Sequence, residues 1–186
     1  LWFLWSMDPA STAYTIACTV QLDGHLDQAQ LVQALTAVVG RHEALRTTFV
    51  AQDGRAEQVI HAALDIPVAV EDLRRSPRAD RAQRVAVRTR DELARPFDLA
   101  HGPLLRAVLM QLADNRHELL LTAHHIVADG LSLDVLLAEI SALYDALRRG
   151  AGTLPAPSAI QYADYAAWQR EWLGSPEADQ QLAYWR

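Results

Sequence analysis

Two apolar stretches, Leu104 to Leu112 and His117 to His125, are separated only by Ala113 to Arg116, and this pair constrains the fold more than any other feature. Asp114-Asn115 suits a tight turn, so the two stretches are expected to pair as a hairpin. The second stretch delivers two histidines at its end, then Asp129-Gly130, and a helical pattern starts just after Ser132. Leu133 to Arg149 carries Leu136, Leu137, Ile140, Leu143, Tyr144 and Leu147 on one stripe, with Ser132 as the expected cap. Titratable groups at the end of a strand stand where active sites often lie.

The first half reads in the same way. Leu1 to Trp5 is dense in aromatics and is expected to form a short helix or buried segment, broken by Asp8-Pro9. Tyr14 to Leu22 reads as a strand ended by Asp23-Gly24. Leu26 to Val39 has Leu31, Leu35, Val38 and Val39 at helical spacing, with Asp27 near its start and Gly40 near its end. Arg41 and His42 are then placed to meet the last helical carbonyls. Leu45 to Val50 and Glu57 to His61 read as strands joined through Asp53-Gly54, with a further short strand at Pro67 to Val70. Pro77 to Ala94 reads as a helix closed by Pro96. Gly150 to Ser158 is a Gly/Pro loop, and Tyr162 to Leu173 and Glu177 to Trp185 read as helices whose aromatics are expected to pack. The pattern is α+β, with helices against a mixed sheet.

Composition excludes several classes. At 186 residues, 51% hydrophobic and 22% charged, the chain is ordinary for one globular domain with a sizeable core. Its net charge of -6, from 23 acidic and 17 basic residues, offers no large basic surface to nucleic acid or anionic lipid. The Arg-rich stretch Arg74 to Arg90 is balanced by Asp80, Asp91 and Glu92 and reads as a solvated helix face. The apolar runs fall far short of the roughly 20 residues that cross a bilayer, so no membrane partner is expected. LWFLW at the start lacks a basic leader or a small-residue cleavage site and does not read as a signal peptide. A start at Leu1 rather than Met suggests a piece of a longer protein. The single Cys18 excludes an internal disulfide and fits a reducing compartment, so a cytoplasmic location is expected.

The junction from His124 to Gly130 is the candidate site. Adjacent residues of an extended strand point to opposite faces, so His124 and His125 do not readily share a ligand, and one is expected in a cavity and the other in the packing. One Cys and no His-x3-His or CxxC pair make a metal site improbable. Gly130 after Asp129 reads as a turn that supplies positive φ or lets a substrate approach the backbone. A purely structural reading gives the same residues a core His, a capping Asp and a turn Gly. Their grouping at one junction weakens it. Neither Ser132 nor Ser141 lies in a Gly-x-Ser-x-Gly elbow, which argues against a Ser-His-Asp hydrolase.

HHIVADG, His124 to Gly130, resembles the HHxxxDG motif of the condensation domains of nonribosomal peptide synthetases, a family similar to chloramphenicol acetyltransferase. RHEALRTTF, Arg41 to Phe49, resembles the family's RHExLRTxF motif, and YADYAAW, Tyr162 to Trp168, its YxDYAxW motif. LWFLWSMDP, Leu1 to Pro9, is similar to the tail of the family's first motif, whose leading part would lie before residue 1. The motifs stand in the family's order along the whole chain.

The resemblance implies a chloramphenicol-acetyltransferase-like α+β lobe, and it implies that residues 1–186 are the N-terminal lobe of a condensation domain whose second lobe is absent. His125 is implied as the catalytic residue. His124 is implied as a supporting residue, Asp129 as an anion that organises the loop through an Arg partner, and Gly130 as a backbone position near the reacting groups. Arg41, Arg46 and Tyr162 have weaker claims, Arg46 as an ion-pair residue holding sheet and motif together. The implied reaction is attack of an acceptor amine on a donor thioester. No cofactor is implied as bound directly; the substrates are carried on the 4'-phosphopantetheine arms of donor and acceptor peptidyl carrier proteins. Further implied partners are the second lobe and a neighbouring adenylation domain. Within the superfamily the rival is an epimerization domain, which shares HHxxxDG, although RHEALRTTF favours condensation. His124 argues against heterocyclization domains, which place Asp there. A noncatalytic carrier-protein docking module is the alternative of another class.

Overall fold

The computed structural model describes residues 1–150 and 158–186. In chain order its elements are α1 (Trp2–Met7), β1 (Thr15–Asp23), α2 (Gln28–Arg41), a 3-10 turn (Glu43–Arg46), β2 (Thr47–Gln52), β3 (Arg55–Ile60), β4 (Val68–Asp72), α3 (Arg78–Leu93), β5 (Leu105–Ala113), β6 (Arg116–His124), α4 (Gly130–Arg148), α5 (Tyr162–Leu173) and α6 (Pro176–Tyr184). The Gly/Pro loop expected at 150–158 lies outside the described residues apart from its two ends.

The expected hairpin is the centre of the molecule. β5 and β6 pair antiparallel, β1 adds antiparallel to β6, and β4 adds parallel to β5, giving a mixed sheet in the order β1-β6-β5-β4. Side chains alternate across the two central strands. Leu105, Ala107, Leu109, Leu119, Leu121 and Ala123 share one core with α2 and α4, whereas Val108, Met110 and Leu120 pack with Leu73 and Val85 of the α3 side. Both faces are covered, which is why these strands read as continuous apolar runs rather than as alternating ones. Leu31, Ala34, Leu35, Val38 and Val39 form the buried stripe of α2, and Leu133, Leu136, Ile140 and Leu143 that of α4. Each such leucine contributes on the order of 2 kcal/mol by leaving water. β2 and β3 form a separate two-stranded sheet turned by Asp53-Gly54, both at positive φ (51° and 75°), as a two-residue hairpin turn of the mirror type requires.

Several sequence expectations need correction. Leu45 and Arg46 are not strand: Glu43–Arg46 closes a 3-10 turn in which Arg46 pairs with Glu43 at 3.3 Å, the i and i+3 neighbours that such a turn brings into line. Ser132 does not cap α4. The helix begins earlier, at Gly130, because Asp129 accepts the Ser132 N–H at 2.8 Å and outcompetes the serine as cap. The Arg41 and His42 side chains reach across to Glu139 of α4, and at the end of α2 the His42 N–H meets the Val38 carbonyl at 3.2 Å.

The Arg-rich stretch is not a merely solvated face. Arg81 donates to the carbonyls of Arg74, Ser76 and Leu112, and Arg88 pairs with Glu71 and Glu92. The buried residue of α3 is a carboxylate: Glu92 is 1% exposed and meets Arg88, Arg95 and the buried Arg106 of β5. This helix is docked by charge more than by an apolar stripe. α1 is helical as expected but buries no residue, and the aromatics of α5 and α6 stand largely exposed rather than packed.

Candidate active site

Strand β6 runs out at His124, and the two histidines part there. The His124 N–H donates to the Leu104 carbonyl at 3.0 Å, and the His125 N–H to the Tyr14 carbonyl at 2.8 Å, so both backbones are held at the end of the sheet. His124 turns inward and is 4% exposed. Its ring lies between Tyr14, at 6.3 Å between centroids, and Phe97, met edge-on at 6.2 Å and 82°. Nδ1 of His124 accepts the Ile126 N–H at 3.1 Å, and the Val127 N–H returns to the His124 carbonyl at 3.0 Å. One imidazole thus shapes the loop that follows it. Burial, together with the neighbouring His125 charge, pushes the His124 imidazole down to about 4, so it is neutral at physiological pH.

His125 turns outward into a cleft of about 710 Å³. Leu45, Val127, Val135 and Leu136 give this cleft apolar walls, and Asp129, Ser132, His42 and Tyr162 add polar groups. The Asp129 carboxylate, exposed to solvent, accepts the Ser132 hydroxyl at 2.6 Å and the Ser132 N–H at 2.8 Å, bonds that hold it below the usual carboxylate range. Among the described residues its partners are the Ser132 hydroxyl and N–H at the start of α4, where a carboxylate meets free N–H groups and the positive end of the dipole. Gly130 is the first residue of α4 and does not adopt positive φ. A Cβ built there meets nothing within 4 Å, so open space lies in front of it.

The site residues expected from the sequence therefore divide. His125, Asp129 and Tyr162 line the cleft, and His124 lies buried beneath the loop. Arg41 pairs with Glu139 at 3.0 Å, and Arg46 donates to the His61 carbonyl and to Glu43, so neither guanidinium is among the cleft-lining groups. Arg46 braces the turn against the β2–β3 hairpin and not against the histidine motif. Tyr162 owes its place to its neighbour Gln161, whose side chain accepts the Glu43 N–H at 3.0 Å and donates to the Arg41 carbonyl at 3.2 Å.

Two groups were missed. His42 lines the cleft with Nε2 at 3.0 Å from Oε2 of Glu139, the oxygen that also meets Arg41 Nε at 3.0 Å. Burial alone would raise the Glu139 carboxyl, but these two hydrogen bonds hold it below its ordinary value. The partners are about a hundred positions apart in the chain, and no local pattern announces them. Arg106 is the other: it stacks 3.7 Å over the ring of Phe97, which in turn stands nearly perpendicular to the His124 ring. A charged residue interrupting an apolar strand run was the available signal.

Among the described residues, no group of three or more His, Cys, Asp or Glu could hold a metal ion, and no helix is long and apolar enough to cross a membrane. The Ser132 hydroxyl is committed to Asp129, so it does not form a nucleophile–base pair with His125.

Comparison with known proteins gives a consistent picture. The condensation-domain family model matches residues 1–186. One of the linear gramicidin synthase proteins of Brevibacillus parabrevis is 45% identical over all 186 residues, which span 2% of that protein's length. The starter condensation domain of rhizomide synthetase superposes with a TM-score of 0.88 at 25% identity, over 99% of this chain and 46% of that one. The first condensation domain of the calcium-dependent antibiotic synthetase, solved with a substrate analogue, superposes with a TM-score of 0.86 at 26% identity, over 99% of this chain and 44% of that one.

Proposed function

The chain belongs to the condensation-domain family, and from that premise we infer that it forms one lobe of a two-lobe domain that makes peptide bonds in nonribosomal peptide synthesis. The partial coverage of the solved relatives, less than half of each, supports the two-lobe reading. The substrates are a donor aminoacyl or peptidyl thioester and an acceptor aminoacyl thioester. Each rides on the phosphopantetheine arm of a peptidyl carrier protein, in a cytoplasmic synthetase that also carries an adenylation domain.

In the reaction the acceptor nitrogen bonds to the donor carbonyl carbon, and the tetrahedral intermediate then breaks its C–S bond. The departing thiolate takes up a proton and the amine gives one up, so the step balances without an oxidant or a metal. An α-amine titrates near roughly 8, so about a tenth is neutral at pH 7 and deprotonation costs only about 1.4 kcal/mol. Holding amine and thioester in register contributes far more, on the order of 7 to 11 kcal/mol. His125 therefore serves chiefly as a hydrogen-bond acceptor that orients the amine, and secondarily takes its proton as the intermediate collapses.

The observation that carries this reading is the division of labour at the strand end: His125 lines the cleft while His124 is buried and neutral. Asp129 and His124 support it by fixing the loop and the start of α4. The test mixes the two-lobe domain with a donor-loaded and an acceptor-loaded carrier and follows the intact mass of the acceptor carrier. A gain equal to the donor acyl group is expected. Scrambled α-stereochemistry on a single carrier without mass gain would show epimerization instead, and carrier binding without either event would show a docking module.

A further inference from the structure

Arg106 is a cation buried in the middle of the lobe, 6% exposed, at a strand position where an apolar residue would enter the core far more readily. By strand alternation it shares the α3 face of the sheet with Val108, Met110, Leu120 and His124. Thr122 stands directly opposite it in the register, with a buried hydroxyl that has no hydrogen-bond partner among the described residues. The guanidinium turns instead to the end of α3. It donates to the Glu92 carboxylate and to the carbonyls of Arg95 at 2.9 Å, Pro96 at 3.2 Å and Glu92 at 3.3 Å. These bonds pin the backbone up to the residue before Phe97, and the same guanidinium lies over the Phe97 ring. The Phe97 carbonyl accepts the Trp5 indole N–H at 3.0 Å, which fixes the residue from another side. Docking α3 by charge does not by itself call for this placement, because Glu92 already meets Arg88 and Arg95.

We propose that Arg106 is a positioning residue for condensation: by fixing Phe97 through both its backbone and its ring, it keeps the His124 imidazole turned so that Nδ1 accepts the Ile126 N–H, and so sets the loop that carries His125. This role rests on the condensation reading above, and Arg106 is not among the groups that line the cleft. The Phe97 ring stands at 82° to the His124 ring with centroids 6.2 Å apart, and Tyr14 flanks the same imidazole at 6.3 Å. The torsion that swings an imidazole about its Cβ–Cγ bond is soft, so the flanking rings and not a rotamer preference decide where Nδ1 points. Phe97 also belongs to the apolar cluster onto which Ile126 and Val127 pack, so the cluster meets the loop directly. Misplacing reacting groups by about 1 Å can cost on the order of 10²-fold in rate, which gives a ring two contacts from the chemistry a measurable share.

The test is single-turnover condensation by the native protein that contains this chain, with donor-loaded and acceptor-loaded carriers. Phe97→Leu removes the flat ring and stays apolar, while Arg106→Lys keeps a cation beside Glu92 without the planar fork of the guanidinium. Both are expected to slow the saturated rate about tenfold and to leave the half-saturating carrier concentration within about twofold of wild type. Met110→Ala, fully buried on the same strand and face, is the control: it should lower the melting temperature at least as much and keep the wild-type rate. In a His124→Asn background, Phe97→Leu should slow the reaction no further, because the ring acts through His124. A wild-type rate in Phe97→Leu or in folded Arg106→Lys, an equal loss in Met110→Ala, or losses from Phe97→Leu and His124→Asn that multiply would overturn the proposal while condensation stands. Failure of the unsubstituted protein to transfer the acyl group would remove the condensation reading and this role together.

Discussion

The Nδ1 atom of His124 accepts the backbone N–H of Ile126 at 3.1 Å, so the buried histidine acts as a neutral acceptor that folds the loop carrying His125. A proton on that nitrogen would break the bond and place a charge against Phe97 in a buried pocket.

Acid should therefore loosen the lobe in a defined window. The folded His124 pKa, about 4, lies below its ordinary 6.5, so the unfolded chain binds the extra proton first. Its contribution is complete above pH 6.5 and is lost as pH falls toward 4, by up to about 3 kcal/mol. Urea denaturation of the intact domain between these pH values should show the decline, and an NMR titration should find the His124 ring still neutral at pH 5. A His124 ring titrating near 6.5 would contradict this.

The buried carboxylate of Glu92 predicts a second, lower window. Burial would raise it, but the Arg88 hydrogen bond and the charges of Arg106 and Arg95 outweigh burial and hold it below the usual range. Its contribution is present above the ordinary carboxylate pKa and is lost as pH falls through the depressed one. Glu92→Ala strands Arg106 without its carboxylate partner in the core and should cost about 3 to 5 kcal/mol by urea denaturation. A change below 1 kcal/mol would show that the cluster does not hold α3 to the sheet.

Asp129 separates its two assigned roles by substitution. As the cap of α4, Asp129→Ala should lower stability by about 1 kcal/mol, while Asp129→Asn, an equally good cap, should stay near wild type in thermal denaturation. Equal losses in both variants would instead require the negative charge, and so a cationic partner in the assembled domain.

Much of the fold was legible because its signals are local. Asp114-Asn115 announced the β5–β6 hairpin, Asp53-Gly54 the β2–β3 turn, and the spacing of Leu31, Leu35 and Val38 the core face of α2. The opposed directions of His124 and His125 followed from strand geometry alone. What stayed hidden depends on contacts between distant elements: Glu139 drawing Arg41 and His42 together, Glu92 turning an arginine-rich helix inward, and Gln161 setting Tyr162 over the cleft. The cap was misassigned by three positions because Asp129 and Ser132 are both good caps and only their mutual hydrogen bond ranks them.

The most direct test of the account is single-turnover condensation by the intact domain with His125→Ala, alongside its thermal stability. His125 is exposed, so the variant should melt within about 0.5 kcal/mol of wild type. Its rate should fall about 10² to 10³-fold, and raising the pH above the amine pKa of about 8 should not restore it, because orientation rather than basicity is lost. Wild-type turnover in a normally folded His125→Ala domain would contradict the account.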